Sequence, residues 1–124
     1  MKPEKNIYKD VLGQTEDALQ QKCCFWFWNE YPELRKLLFS VPNGGWRRGK
    51  DAKTMQRTGL TPGVSDLILL FKGKTYLIEL KKDKKASQNP AQMAWQTQVV
   101  AQGFPYFIVR SLEEFKKLIQ KILG

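Results

Sequence analysis

The sequence predicts a single α/β domain in which helices flank a mixed four-stranded sheet. Three observations support this fold class. The length of 124 residues is typical of one domain. Short apolar runs with strand character alternate with longer segments that have helical periodicity. A helical segment also separates the third predicted strand from the fourth, which favours a right-handed crossover and a parallel pair. We therefore interpret residues 1–124 as one domain.

The first half of the chain is predicted to be mainly helical. Thr15 is followed by acidic residues and is typical of an N-cap, so a helix is expected from there to about Trp28. A second, short helix follows Pro32 and extends through Leu38. Residues 39–41 form a short strand that ends at the loop sequence PNGG, and residues 50–58 form a weak helix.

The second half of the sequence is predicted to contain a β-hairpin, two further helices and a fourth strand. Strands are expected at about 64–71 and 75–82, on either side of a tight turn. Either Ser87 or Asn89 caps the next helix, which has Pro90 in its first turn and stops at a glycine. A fourth strand spans 104–110. Ser111 then caps a closing helix at 112–123, whose apolar residues recur at helical spacing.

Composition excludes several classes of function. The chain has no histidine, which rules out Ser-His-Asp hydrolases, Cys-His proteases and metal sites that depend on imidazole. Cys23 and Cys24 are adjacent, so they are poorly placed to bridge each other, and they indicate a reducing, cytoplasmic environment. The net charge of +9 favours a polyanionic partner, nucleic acid ahead of a membrane. We expect no membrane span, no secretory signal and no nucleotide cofactor.

The predicted hairpin carries acidic residues where strands normally avoid them. Side chains alternate along a strand, so Glu79 and Lys81 share one face. If residues 70 and 75 pair, Asp66 lies opposite Glu79; if 72 and 75 pair, it lies diagonal to it. Either register brings both carboxylates and the lysine to one face, whereas the three-residue loop between these two registers would not.

This trio predicts a metal-assisted phosphodiesterase site. Two close carboxylates favour a hard divalent cation between them, and Mg²⁺ (or Mn²⁺) accepts few protein oxygens together with waters and phosphate. Lys81 could hold the attacking water or neutralise charge in the transition state. The alternative on the pattern alone is a surface salt-bridge cluster, which contributes only about 0–1 kcal/mol.

Asp66 followed by Glu79-Leu80-Lys81 resembles the PD-(D/E)XK nuclease signature, and the chain more closely resembles the VRR-NUC family, the virus-type replication-repair nucleases. The resemblance covers about residues 15–110, and it implies a restriction-endonuclease-like core. The resemblance rests on an acid in the first helix (Glu16), a Val-Pro-Asn-Gly loop (41–45) and a Gly-x-x-Asp entry to the hairpin (63–66). It also rests on a Glu-Leu-Lys strand (79–81) and on a later helix with Gln92, Trp95 and a closing Gly103.

The resemblance also implies roles for individual residues. The metal would be held by Asp66, Glu79 and the main-chain carbonyl of Leu80, with a further contribution from Glu16, unless a helix shift exchanges it for Asp17. Gln92 would reach the active site near Lys81. The family usually has proline where this chain has Ser65, a position that shapes the backbone rather than the chemistry. Gly63 is expected to let a phosphate approach closely.

Two surfaces are predicted to bind partners. A basic loop with exposed backbone amides suits phosphates, and its alternative is a solvated loop with Trp46 in the core. Its proposed DNA-binding residues are Asn43, Arg47, Arg48, Lys50 and Lys53. The aromatic segment 25–28 is apolar around the whole helix and predicts a homodimer interface, unless the helix is sandwiched between the sheet and a neighbouring helix.

Together these features predict a Mg²⁺- or Mn²⁺-dependent, structure-selective DNA endonuclease. Its expected substrates are branched DNAs such as four-way junctions or flaps, in phage or repair processing. Two alternatives remain: a non-catalytic DNA-binding module on the same fold, and a nuclease directed at RNA.

Overall fold

The computed structural model describes residues 15–41 and 52–124. Its secondary structure follows the predicted order, and the weak helix predicted at 50–58 is present. The elements are α1 (Glu16–Glu30), a 3₁₀ helix (Pro32–Leu37), β1 (Leu38–Ser40), α2 (Ala52–Arg57), β2 (Leu67–Phe71), β3 (Lys74–Leu80), α3 (Pro90–Ala101), β4 (Tyr106–Val109) and α4 (Leu112–Leu123).

Polar side chains begin the three long helices as the sequence predicts. The Thr15 hydroxyl accepts a hydrogen bond from the backbone N–H of Ala18, and Ser111 accepts one from Glu114. At α3 the cap is Asn89 rather than Ser87, and Pro90 occupies the first turn. Each cap satisfies a backbone donor that has no partner within its own helix.

The sheet order is β1-β2-β3-β4. The first two pairs of neighbours are antiparallel, and β3 pairs with β4 in parallel. The parallel pair expected from the intervening helix is therefore confirmed, because α3 lies between these two strands in the chain. The mixed sheet and its flanking helices match the predicted fold class.

The core lies between one face of the sheet and helices α1 and α4. Each of these helices contributes aromatic and aliphatic side chains, and β2 and β3 supply the facing side chains. The fully buried members of this layer are Leu19, Cys23, Phe27, Leu67, Leu69, Ile78, Leu80, Phe115 and Ile119. Helix α3 has no buried residue and lies toward the opposite face, where it meets β4 and the charged residues of β3.

Several boundaries differ from prediction. Strand β2 begins at Leu67 rather than 64, although the N–H of Val41 bonds to the carbonyl of Asp66 just before it. The segment after Pro32 is a 3₁₀ helix that ends at Leu37, so Leu38 belongs to β1. Strand β3 ends at Leu80, while the N–H of Lys81 still bonds to the carbonyl of Val109.

The aromatic segment of α1 is mostly covered from within the chain. The ring of Trp26 packs edge-on against Phe115 at 6.0 Å between centroids. Arg35 lies 4.2 Å from the centre of the Trp28 ring. Phe25 remains 52% exposed. Most of this segment is therefore packed between the sheet and neighbouring helices, which was the alternative to a dimer interface.

In the part of the chain that the structure describes, no helix is both long and apolar enough to cross a membrane.

Candidate active site

The hairpin register brings the two predicted carboxylates together. Leu70 pairs with Thr75 and Leu67 with Ile78. The turn contains Lys72 and Gly73, both with positive φ angles (50° and 80°), which is the backbone form of a tight two-residue hairpin turn. Continuing the register by one residue puts Asp66 opposite Glu79, which is the first of the two predicted alternatives.

Asp66 is held by the main chain of the neighbouring strand. Its Oδ2 accepts a hydrogen bond of 2.7 Å from the backbone N–H of Leu80. In an antiparallel strand a residue directs its N–H and C=O to the same neighbour, so the Leu80 carbonyl lies on the Asp66 side as well. Just before Asp66, the buried Ser65 hydroxyl donates to the carbonyl of Leu67 at 3.3 Å. This serine interacts with the backbone, where the resemblance would place a proline.

Glu79 is fully buried, and only one of its two carboxylate oxygens has a hydrogen-bond partner. Its Oε2 accepts from Nε2 of Gln92 at 2.8 Å and lies 3.5 Å from the ammonium of Lys81. Its Oε1 is buried and has no hydrogen-bond partner among the described residues. Buried polar atoms are rarely left in this state. A cation or a hydrogen-bond donor beside Oε1 would therefore lower the free energy of the folded protein.

The protonation of the carboxylates reflects this crowding. Burial of the Glu79 carboxyl, together with the negative charge of Asp66, raises its pKa to about 8, although Lys81 acts in the opposite direction. Burial also raises the pKa of Asp66, against the hydrogen bond from Leu80 and the charge of Lys81. Without a cation, the pair therefore holds protons more tightly than carboxyl groups in water do.

Lys81 is buried as well, with an exposed fraction of only 4%. Its ammonium donates to Oε1 of Gln92 at 2.8 Å, in addition to its contact with Glu79. A buried ammonium is costly unless it is paired and hydrogen-bonded, and these two neighbours satisfy that requirement. The predicted residues Asp66, Glu79, Lys81 and Gln92 thus form one connected group.

Glu16 lies at the edge of this group. The residue is exposed, yet partial burial of its carboxyl raises the pKa, which the charge of Lys81 lowers and that of Asp66 raises. Asp17 also acts on the pKa of Asp66, and it lines a separate cleft of about 360 Å³ with Gln20 and Phe25. The charge of Lys81 therefore acts on the Glu16 carboxyl, and that of Asp17 acts on Asp66.

The donor set suits a hard cation with an incomplete protein shell. Within residues 15–41 and 52–124, no three His, Cys, Asp or Glu side chains form a cluster that could hold a metal ion by themselves. Two carboxylates are close together, one has an unpartnered buried oxygen, and a main-chain carbonyl lies on the same side. Mg²⁺ accepts such a set because it commonly keeps several waters and takes one or two carboxylates.

The structure adds neighbours that sequence reasoning did not identify. The Tyr106 hydroxyl accepts from the amide nitrogen of Gln88 at 3.0 Å, and burial followed by the charge of Glu79 raises its pKa to about 12. Parallel pairing of Leu77 with Tyr106 puts this tyrosine on the Glu79 face. Strand alternation could have indicated it once the register between β3 and β4 was known.

The loop after Lys81 is pinned by Arg110. Its guanidinium donates to the carbonyls of Asp83 and Ala86 at 2.9 and 2.5 Å. The Asp83 carboxylate in turn accepts from the backbone N–H groups of Ala86 and Lys85, which lower its pKa. This ordered loop carries exposed lysines from the end of β3 to the start of α3.

Gly63 lies against the first turn of α3. A Cβ on this residue would lie 2.3 Å from the carbonyl oxygen of Ala91 and 2.8 Å from the backbone nitrogen of Gln92. Its φ of +86° also favours glycine. The contact with the first turn of α3 is by itself sufficient to require a glycine here, and close approach of a phosphate stays a prediction.

Only one of the predicted DNA-binding residues falls within the described chain. Lys53 lies on α2 and is exposed. The remaining members of the predicted surface, and Trp46, lie outside the described residues: Asn43, Arg47, Arg48 and Lys50.

Comparison with known proteins gives a fold but no close relative. No family model matches the chain, and no curated protein matches it either. Among solved structures, a VRR_NUC domain protein superposes with a TM-score of 0.75 at 22% identity, covering 88% of each chain. The chain has the VRR_NUC fold. A second VRR_NUC domain structure gives a TM-score of 0.54 at 21% identity, over 85% of this chain and 94% of the other.

This result confirms the restriction-endonuclease-like architecture predicted from the hairpin and the segments around it.

Proposed function

We propose that this chain is a divalent-metal-dependent nuclease of the VRR_NUC family that cleaves DNA. The observation that carries the proposal is the buried Asp66–Glu79 pair, with one unpartnered carboxylate oxygen, beside a lysine held in place by Gln92. The VRR_NUC fold supports it. A surface salt bridge would not bury Glu79 fully or leave one of its oxygens both buried and without a partner.

Each residue has a proposed part in the reaction. Asp66, Glu79 and the Leu80 carbonyl would hold Mg²⁺ or Mn²⁺, and Glu16 would act from the edge, through water. When bound, the cation supplies a Lewis acid that lowers the pKa of water and neutralises phosphate charge. The Leu80 N–H keeps Asp66 oriented toward the site.

Lys81 supplies the positive charge that the reaction needs beside the carboxylates. Gln92 accepts one of its three N–H donors, which leaves the ammonium able to donate to a phosphate oxygen or to orient the attacking water. Charge on the non-bridging oxygens grows in the transition state, so a fixed ammonium stabilises that state more than the ground state.

The protein's charge supports a nucleic-acid substrate. The net charge is +9, and the loop that follows the active-site strand presents Lys84 and Lys85 to solvent. We propose that these lysines and the predicted basic loop contact phosphates on either side of the scissile bond. Such contacts would supply affinity without reading sequence, which suits an enzyme selective for DNA structure.

We further propose that the chain works as a homodimer on branched DNA, through α3 rather than the aromatic segment of α1. Residues 86–109 contain no Asp, Glu, Lys or Arg, and Met93 and Val100 on α3 are 55% and 50% exposed. Two copies with a net charge of +9 repel each other. Electrostatic repulsion is weakest where the contacting surfaces are apolar and carry no charged side chains. A four-way junction presents two equivalent strands, which two sites could cut.

Light scattering tests the dimer. Val100→Glu should give monomers, whereas Phe25→Glu, a matched change on α1, should leave the dimer intact. A monomeric wild type would end this proposal. Dissociation by Phe25→Glu alone would move the interface back to α1.

The two cysteines support an intracellular site of action. Cys23 and Cys24 are buried and free, and burial raises their pKa values to about 12 and about 11. Thiols of this kind persist in a reducing compartment, so we propose that the protein acts in the cytoplasm.

The activity is tested with labelled duplex, flap, four-way and single-stranded DNA, together with matched RNA, in Mg²⁺, Mn²⁺ or chelator. We expect metal-dependent cleavage of branched DNA and its loss in Glu79→Gln. Cleavage of RNA alone would favour the RNA-directed alternative. Tight DNA binding without cleavage in any metal would favour a non-catalytic module.

A further inference from the structure

The side-chain amide of Gln92 has three polar neighbours, and they come from different parts of the chain. Its oxygen accepts from the ammonium of Lys81 at 2.8 Å and from the backbone N–H of Asn89 at 3.0 Å. Its nitrogen donates to Oε2 of Glu79 at 2.8 Å. The amide thus connects the start of α3 with Glu79 of β3 and with Lys81, which directly follows that strand.

These neighbours allow only one orientation of the amide. An ammonium and a backbone N–H can only donate, so both require the amide oxygen. The carboxylate oxygen of Glu79 requires the amide nitrogen. Rotating the amide by 180° would turn its N–H groups toward two donors and its oxygen toward an acceptor. All three hydrogen bonds would then be lost together.

Asn89 is the neighbour that lies outside the charged pair. It binds Gln92 twice, since its side-chain Oδ1 accepts from the backbone N–H of Gln92 at 2.9 Å while its own N–H donates to the amide oxygen. This reciprocal arrangement is the capping box of α3. The cap that starts the helix therefore also orients a side chain of the active site.

The first turn of α3 is confined from a second side. Gly63 approaches the helix so closely that a Cβ would overlap the Ala91 carbonyl. The turn at 61–63 thus limits movement of this end of the helix in one direction. The loop that leads to Asn89 is itself held, because Arg110 donates to the carbonyls of Asp83 and Ala86.

We infer that Asn89 is a positioning residue of the active site. Its cap fixes the Gln92 amide so that the oxygen holds Lys81 and the nitrogen holds Glu79. The inference rests on the proposed nuclease function. Asn89 itself is exposed and touches neither charged residue in the described structure, so its effect passes through Gln92.

Two substitutions remove the side-chain half of the cap and keep the backbone N–H of residue 89 that donates to the Gln92 amide oxygen. Without the Oδ1 bond the start of α3 is held less firmly, so this N–H no longer keeps the amide in one orientation. Asn89→Ala and Asn89→Gly both delete the Oδ1 acceptor, and glycine is the safer change because it is well tolerated at an N-cap. We expect kcat on the preferred DNA to fall roughly 10- to 100-fold in both, as is usual for residues that orient a metal site from outside. KM should stay within about threefold, because Asn89 contributes no phosphate contact in this proposal.

Two further variants separate positioning from general loss of structure. Asn89→Ser keeps a cap acceptor and should restore kcat to within a few-fold of wild type. Ser111→Ala removes the equivalent cap from α4, where no active-site residue is attached, and should leave kcat unchanged. If kcat falls equally in Ser111→Ala and Asn89→Gly, the loss is caused by reduced helix stability alone, and the inference is overturned.

An NMR readout is independent of cleavage. The side-chain amide protons of Gln92 should exchange slowly with solvent in the wild type and in Asn89→Ser, and rapidly in Asn89→Gly. If the wild type cuts no substrate, the nuclease proposal fails while this measurement still decides whether the cap orients Gln92. Unchanged exchange in Asn89→Gly would contradict the inference whatever the activity.

Discussion

Each face of the β2–β3 hairpin has a buried region, which is apolar on one face and contains charged residues on the other. On one face Leu67, Leu69 and Ile78 are wholly enclosed by α1 and α4. On the other, Glu79 is as fully buried as these residues and Lys81 nearly so, beneath α3. Neighbouring residues of one strand thus enter opposite environments, because their side chains alternate.

The energetic consequences of burial differ between the faces. Enclosing an aliphatic side chain stabilises the fold by about 1.5–3 kcal/mol. Enclosing a carboxylate costs free energy unless it is fully paired, and Glu79 retains an unpartnered oxygen. The apolar face therefore stabilises the hairpin. Burial of the charged groups on the other face lowers that stability but holds the groups in fixed positions.

The largest expected effect comes from a break in the apolar face. Ile78→Ala should lower the free energy of unfolding by about 2–5 kcal/mol, because the cavity it leaves lies among residues of α1 and α4. Urea denaturation measures this loss. Leu70→Ala, a change to a 38% exposed residue on the other face, serves as the control and should cost much less. Similar losses for both would show that the faces do not differ in this way.

On the charged face, Lys81→Ala should reduce the cleavage rate by about 10²–10³ while leaving DNA affinity nearly intact. The reason is that Lys81 serves the transition state, whereas affinity comes from the distributed basic residues. Single-turnover rates and binding titrations separate the two quantities. Lys74→Ala, which changes an exposed lysine at the start of β3, is the control. Wild-type cleavage by Lys81→Ala would remove the lysine from the mechanism.

The third expectation concerns stability and pH in the absence of divalent cations. The pKa of Glu79 is about 8 in the folded protein, against an ordinary value of 4.5. The stability that its proton brings is therefore complete below about pH 4.5 and is lost as the pH rises toward 8. Glu79→Gln lacks this loss, so the variant should be more stable than the wild type above about pH 8.

Thermal denaturation at about pH 5 and about pH 9, with chelator, measures the difference between the two proteins. Addition of Mg²⁺ should stabilise the wild type and leave Glu79→Gln unaffected, because a ligand stabilises only the form that binds it. A cation-induced rise of equal size in both would remove Glu79 from the proposed metal ligands.

The smallest effect is expected away from the hairpin. Arg47→Ala combined with Arg48→Ala should weaken binding to every DNA shape and flatten the salt dependence by roughly 2 units, at ~0.9 per phosphate contact. Metal affinity should not change, because the proposed ligands lie on the hairpin. If the slope of log K against log[salt] is unchanged, Arg47 and Arg48 do not contact phosphates. Lys84 and Lys85 are then the better candidates, and their double alanine variant is the comparison.

Much of the fold followed from local patterns. Thr15 and Ser111 were identifiable as caps because each polar side chain precedes a helical period, and the parallel pair followed from the helix between β3 and β4. Boundaries were less accurate. Strand β2 starts three residues later than predicted because residues before Leu67 bend, and residue composition does not show where pairing stops.

The sequence by itself determined which residues share a face within each strand, since alternation along a strand depends only on position. It therefore grouped Glu79 with Lys81, and two of the three registers considered for the turn added Asp66 to that face. The fold resemblance added Gln92 and Glu16. None of this required knowledge of what lies above the sheet.

Only the tertiary structure decided between the registers, how deeply the charged group is buried and which atoms within it are paired. Burial of Glu79 depends on α3, and the position of α3 depends on its contact with Gly63 and on the pinned loop before it. The unpartnered oxygen and the Asn89–Gln92 bonds arise from contacts between separate elements. Such contacts are fixed by packing in three dimensions, which no local periodicity encodes.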